Sequence, residues 1–177
     1  HFRHKETSVN CDRNKYLHEC AKNKIKERFE TSEHFYVWYN AKRKCKKKDE
    51  CELSKHNWEE CYADGLYKID LKEFYDTCTL EKCYSLENND ERYIADLLLT
   101  NSKDQSKKPL GIEIWVTHEC SEEKKLSKNR IIEIKIEKES DALREIIEKD
   151  DNELPIRFFN FKRNILSEPS KELYHCK

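Results

Sequence analysis

The chain holds no methionine, two glycines and three prolines among its 177 residues. Ordinary chains carry about 7% glycine and about 5% proline, so this scarcity argues against Gly/Pro-rich disorder and against a turn-rich β-sandwich. Long helices joined by few tight turns suit it better. A chain without methionine that opens at His1 reads as a fragment of a longer product. Also missing is any run approaching the ~18 apolar residues of a membrane-spanning helix. No apolar segment of signal-peptide type follows the basic start, so the expectation is a cytoplasmic protein with no membrane partner. Excess charge of one sign is absent as well: 35 Lys and Arg stand against 36 Asp and Glu, a net charge of -1. That excludes a globally basic, histone-like grip on nucleic acid and leaves only local, one-sided basic patches.

What the chain does have is charge in quantity. Charged residues make up 40% and hydrophobic residues 36%, against a usual charged share of about 25%, so a dense polar surface must enclose a compact core. The length suits one domain spanning residues 1–177. Nine cysteines stand at 11, 20, 45, 51, 61, 78, 83, 120 and 176. A chain of this size needs no disulfide staples and shows no export signal, so reduced thiols, some of them holding zinc, are expected.

Leu17, Ala21, Ile25 and Phe29 recur at steps of four within residues 14–30, which predicts an amphipathic helix. The aromatic, β-branched run Phe35–Tyr39 predicts a strand. Residues 42–62 show no apolar period but hold Cys45, Cys51 and Cys61; this segment reads as an insertion, either flexible or organised by metal. Residues 67–83 read as a short strand or turn leading into a helix. Beyond them the pattern predicts strands over Ile94–Leu99, Leu110–Thr117, Arg130–Ile136 and Ile156–Phe161. A helix capped by Ser121 runs through Leu126, and a second, opened by Ser140-Asp141, reaches about Lys149. The order implies an α/β fold with a mixed central sheet, headed by the helix at 14–30.

Two acidic residues interrupt apolar strands. Alternation in the run from Ile112 to Thr117 sets Ile112, Ile114 and Val116 on one face and Glu113, Trp115 and Thr117 on the other. Asp96 is flanked by apolar residues on the strand that the polar loop Asn101–Pro109 joins back as a hairpin. Facing carboxylates on apolar strands repel and are costly to desolvate, unless a divalent cation lies between them. Oxygen ligands of this kind suit Mg²⁺ or Mn²⁺, and such an ion assists phosphodiester hydrolysis. The plainer alternative is that the carboxylates face water or pair with Arg92 or a lysine. A second acid-x-Lys triplet, Glu133-Ile134-Lys135, has no hairpin Asp beside it and reads as a solvated strand edge.

The order helix, strand, Asp-bearing strand, Glu-bearing strand, helix, strand resembles the core of the PD-(D/E)XK, restriction-endonuclease-like nucleases. Asp96 takes the Asp position, and Glu113-Ile114-Trp115 the (D/E)XK position. Wording narrows the likeness to the competence protein CoiA-like family. His1-Phe2-Arg3-His4-Lys5 resembles that family's HFxH signature, and Leu17 to Lys22 its LHxxAK helix. Arg92 to Asp96 is similar to its RxxAD strand, and Ile112 to His118 to its IEIxVTH strand. The resemblance covers residues 1 to about 136 and implies a cysteine-bearing ribbon upstream of residue 1. It implies a nuclease-like domain hydrolysing DNA phosphodiesters in DNA uptake, processing or defence, with Asp96 and Glu113 holding Mg²⁺ or Mn²⁺. Trp115 stands where the motif lysine belongs; Lys124, on the following helix, matches the lysine that replaces it in variants of the class. His118 would bond the scissile phosphate or a bound water, and His18, with Glu19 beside it, would support the ion from the first helix. The alternative is a catalytically inactive nucleic-acid-binding module of the same fold, for which Trp115 is the argument.

Cys45, Cys51, His56 and Cys61 form a C-x5-C-x4-H-x4-C set of the type that binds structural zinc, though at spacings wider than usual. Cys78 or Cys83 are substitutes for one of them, and free thiols or disulfides the other readings. Cys11, Cys20 and Cys120 read as small buried residues. The basic run Arg43 to Lys48, close to Tyr36, Trp38 and Tyr39, is suited to tracking a phosphate backbone while the rings stack on bases, or else is a solvated loop. Oligomeric state leaves no mark in the sequence.

Overall fold

The computed structural model describes residues 12–44, 62–84, 93–148 and 155–161. It opens with helix α1 (Arg13–Thr31), whose N-cap Asp12 accepts the Asn14 and Lys15 amides and so satisfies two of the orphan donors of the first turn. Its expected stripe, Leu17, Ala21, Ile25 and Phe29, is buried.

Two mixed sheets follow, giving the α/β class expected. The smaller has strand order β2-β1-β7, built from β1 (Tyr36–Lys44), β2 (Tyr62–Asp70) and β7 (Ile146–Ile147). The larger has order β3-β4-β5-β6-β8, from β3 (Thr77–Tyr84), β4 (Tyr93–Thr100), β5 (Leu110–Trp115), β6 (Arg130–Lys135) and β8 (Ile156–Phe159). Strand β4 is antiparallel to both β3 and β5, β5 and β6 are parallel and joined through the short helix α2 (Glu122–Leu126), and β8 is antiparallel to β6. Ser121 caps α2 by accepting the Lys124 amide, with Glu122 and Glu123 in the first turn, where their charge favours the helix end. Between α1 and the sheets lies the main core, in which Ile25 and Phe29 meet Val37, Leu97, Ile112 and Ile132.

Three expectations are corrected. Residues 71–84 do not enter a helix: after a 3₁₀ turn at Leu71–Glu73, residues 77–84 form β3. Ala95, Leu97, Leu98 and Leu99 of β4 are all buried, so β4 needs a hydrogen-bonded neighbour on each edge, and the β-branched Thr77 and Thr79 fit that role. The helix expected from Ser140 to Lys149 is a 3₁₀ turn, Glu139–Leu143, followed by β7. Asp141 Oδ2 accepts the Glu137 and Lys138 amides at 3.0 Å each, which holds a turn, and the β-branched Ile146-Ile147 pair with Val37 and Trp38. The segment read as an insertion from 42 to 62 is shorter, because β1 continues to Lys44 and β2 begins at Tyr62. Cys45, Cys51, His56 and Cys61 lie outside the described residues, as do Cys11, Cys176 and the HFxH-like start.

Gly111, paired with Leu98 and Ile131, is required by a close approach. A Cβ there would stand 3.1 Å from the Tyr84 hydroxyl and 3.5 Å from Ala95 Cβ. That hydroxyl is buried without a hydrogen-bond partner, which costs on the order of 1 kcal/mol or more. Tyr84→Phe is therefore expected to raise stability by about 1 kcal/mol, and Gly111→Ala to lower it by about 1 kcal/mol. Urea unfolding of both single variants and the double variant checks this. Tyr84→Phe should recover most of the Gly111→Ala loss; simple additivity of the two effects would count against the close approach as its cause.

Candidate functional site

Asp96 sits where the β3–β4 ladder opens. Leu80 pairs with Leu97 and Lys82 with Ala95, but Glu81 and Asp96 between them do not pair. Glu81 has φ 47°, a left-handed conformation costing a non-glycine residue about 1 kcal/mol. Lys22 secures it: Nζ lies 2.6 Å from Glu81 Oε1 and 2.7 Å from Glu19 Oε1, although Lys22 itself is only 1% exposed. Burial alone would lower the Lys22 pKa, and the two carboxylates reverse this and raise it.

Released from the ladder, the Asp96 carboxylate turns inward. Its Oδ2 accepts the Ile114 amide at 2.7 Å and lies 3.1 Å from His18 Nε2 on α1. Burial pushes the Asp96 pKa up, but His18, the Ile114 amide and Lys124 outweigh it and hold the carboxyl below its ordinary value. The same hydrogen bond raises the pKa of His18 against the effect of its burial.

Glu113 occupies the face of β5 opposite Ile112 and Ile114 and is 7% exposed. Its Oε2 accepts from Lys124 Nζ at 2.8 Å, and the same ammonium donates to the Ile94 carbonyl at 2.8 Å. Lys124 thus reaches back from α2 and ties β5 to the start of β4. Burial pushes Glu113 up to about 7; Lys124 opposes this, while Asp96 and Glu133 add to it. Glu113 Oε1 is buried with no hydrogen-bond partner.

Asp96, Glu113, Lys124 and His18 are therefore brought into one electrostatically linked site. His118 lies exposed on the loop after β5, outside the hydrogen-bonded site. Trp115 is half-buried and held by cations: Lys135 Nζ is 5.2 Å and the Arg157 guanidinium 5.0 Å from its ring centroid. Glu133, read from sequence as a solvated edge, is 1% exposed. Strand β8 covers that edge, and Glu133 aligns with Glu113 across the parallel β5–β6 pair. It accepts the Cys120 amide at 2.5 Å and has Arg157 at 3.6 Å, while burial raises its pKa. The only sequence sign of this was the strand-like run Ile156–Phe161, able to cap the sheet beyond Glu133. The Lys22–Glu81 contact has no such sign.

The described cysteines, Cys20, Cys78, Cys83 and Cys120, are free. Cys78 sits in the main core, with burial pushing its pKa up to about 12. Cys120 is half-buried, and burial with Glu113 nearby pushes its pKa up to about 12.

No three His, Cys, Asp or Glu side chains among the described residues form a ready-made metal cage. Mg²⁺ does not require one, since it keeps several waters and commonly uses one or two carboxylates with substrate phosphate. Glu113 Oε1, a buried carboxylate oxygen without a donor, fits that demand, and Asp96 supplies a second carboxylate from the adjoining strand. Among the described residues, no helix is long and apolar enough to cross a membrane. Comparison of the chain with family models, with curated proteins and with solved structures finds no match.

Proposed function

We propose that the chain is a divalent-metal-dependent nuclease domain with a restriction-endonuclease-like core, acting on DNA phosphodiesters, as expected of a CoiA-like protein. The observation that carries this reading is the Glu113 carboxylate: buried on an apolar strand, one oxygen on Lys124, the other without a donor. A buried carboxylate with one oxygen left without a donor is expensive to keep even beside a lysine, and such costs concentrate where function requires them. The succession β3, Asp96-bearing β4, Glu113-bearing β5, α2, β6 in the larger sheet, with β5 parallel to β6 and α1 in contact with β3, β4 and β5, supports it further, although β1 and β2 come between α1 and β3.

Asp96 and Glu113 are the residues that would hold Mg²⁺ or Mn²⁺. The ion, when bound, supplies positive charge against the phosphodiester and makes a nucleophile of water at neutral pH. Lys124 orients the Glu113 carboxylate and offsets charge developing on the phosphate. His18, kept protonated further toward neutrality by Asp96, orients that carboxylate and carries a proton at Nε2.

The test is cleavage of labelled duplex, single-stranded and branched DNA, with RNA alongside, in Mg²⁺ or Mn²⁺. Glu113→Gln and Lys124→Ala are each expected to lower cutting at least 100-fold in folded protein, the size of effect that loss of one charged catalytic group produces. Trp115 favours a second reading, a binding module that no longer cuts. A folded protein that retards DNA but cuts nothing with either ion would establish that reading instead.

A further inference from the structure

The three-stranded sheet has one face in the core and one in solvent. Val37, Ala41 and Ile146 are buried, and Tyr39 lies on the same face of β1 as Val37 and Ala41, its ring 6.0 Å from that of Tyr67 and its pKa raised by burial. Tyr39 therefore does not belong with Tyr36 and Trp38. The opposite face carries Tyr36 and Lys68, both exposed, and the half-buried Trp38, with Trp38 and Lys68 paired across β1 and β2. The His34 ring stacks on Tyr36 with centroids 5.2 Å apart and planes at 18°. Lys68 Nζ lies 3.5 Å from the Tyr36 centroid and 5.5 Å from that of Trp38, within cation–π reach of both rings.

We propose that this face is a platform for single-stranded nucleic acid, in which one base enters between Tyr36 and Trp38 and Lys68 moves from the rings onto the adjoining phosphate. Side chains two residues apart on one strand face stand about 7 Å apart, roughly twice the thickness of a stacked ring, so the gap admits one flat base. Lys68, in reach of both rings, carries a flexible ammonium that gains a stronger partner in a phosphate than in two rings. Charge favours the same occupant: β1 continues from the rings into Lys42, Arg43 and Lys44, in a chain whose net charge is only -1. A duplex keeps its bases stacked and offers none for the gap, whereas a single strand does. The inference deepens the nuclease reading by naming the form of its substrate, and depends on that reading only for the cutting.

Binding of fluorescein-labelled dT16 and U16, and of a 16-base-pair duplex, is measured by anisotropy in EDTA, so that cleavage does not enter the result. The wild-type chain should bind the single strands at least 10-fold more tightly than the duplex. Tyr36→Ala/Trp38→Ala should weaken dT16 binding at least 10-fold, Trp38→Phe less than 3-fold, and Lys68→Ala should reduce the slope of log affinity against log salt by about one. Should the double variant misfold by circular dichroism, the exposed Lys68→Glu replaces it, with the same 10-fold loss expected. Absent wild-type binding, equal affinity for duplex, or unchanged affinity in folded Tyr36→Ala/Trp38→Ala or Lys68→Glu overturns the platform. Failure of cleavage in Mg²⁺ with these losses intact overturns only the nuclease reading.

Discussion

Glu113→Gln should make the fold about 2 kcal/mol more stable at pH 8 while leaving it nearly unchanged at pH 5. The Glu113 carboxyl titrates near 7 in the folded chain, above its ordinary value of 4.5, because burial, with Asp96 and Glu133 nearby, outweighs Lys124. Between those two values the folded state holds a proton that the unfolded state has released. Stability therefore falls as pH rises through that window and stays low above it. A shift of this size corresponds to about 3 kcal/mol; the partial exposure of Lys124 and its lost partner in the variant reduce the expected gain to about 2 kcal/mol. Glutamine keeps the shape of the protonated acid and carries no charge to desolvate. His18, whose pKa is raised by Asp96, also stabilises at low pH and loses that contribution as pH rises, but it does so in both proteins and cancels in the difference. Urea unfolding from pH 5 to 8 measures that difference, and parallel curves for the two proteins would refute it. Mg²⁺ adds an independent arm: at pH 8 it should raise the unfolding temperature of the wild-type chain and not that of Glu113→Gln. A substitution that stabilises the fold and abolishes cutting is the signature of a group retained for function.

The parts of this site that sequence made visible are those set by local periodicity. The Leu17–Phe29 stripe located α1, the Asn101–Pro109 loop located the β4–β5 hairpin, and Ser121 followed by two glutamates located α2 and placed Lys124 within reach of Glu113. Each is a pattern within about a dozen residues. The rest arises from contacts between distant segments. Asp96 turns inward because Glu81, on another strand, leaves the ladder at φ 47°, and Glu81 is held by a lysine that sequence places among the polar residues of α1. Lys22 is buried because β3 packs along that side of the helix, a placement no helical period encodes. Glu133 looked solvated because β6 looked like an edge; β8, from some twenty residues further on, removes the edge. The 3₁₀ turn at Glu139–Leu143 stands where a helix is expected because Asp141 accepts the Glu137 and Lys138 amides and Arg28 of α1 donates to the Ala142 and Arg144 carbonyls. Amphipathic spacing gave no warning of either contact.

The same kind of long-range contact makes Asp70 a polar residue whose loss should cost the fold heavily. Asp70 ends β2, 8% exposed, and its Oδ1 accepts the Phe35 amide at 2.9 Å and the Lys72 amide at 3.0 Å. Its Oδ2 lies 2.6 Å from His34 Nδ1. Phe35 is itself a core residue, edge-on to Phe29 with centroids 5.3 Å apart, and its carbonyl accepts the Leu71 amide at 2.9 Å. One carboxylate thus joins the exit from α1 to the end of β2 and directs Phe35 into the core beneath the ring platform. Asp70→Ala strands the buried Phe35 amide and removes a charged acceptor from two others, for an expected loss of about 3 kcal/mol. Asp70→Asn keeps an oxygen for the two amides and loses the charge facing His34, so it should cost about half as much. Burial raises the pKa of Asp70, yet the Phe35 amide, His34 and the Lys72 amide together hold it below the ordinary value of 3.8. The carboxylate contribution is accordingly complete above the unfolded pKa and disappears as pH falls through the folded one. Equilibrium unfolding at pH 7 and near pH 3 should show the wild-type advantage over Asp70→Ala shrinking with acid, and a loss below about 1 kcal/mol at pH 7 would remove Asp70 from this role.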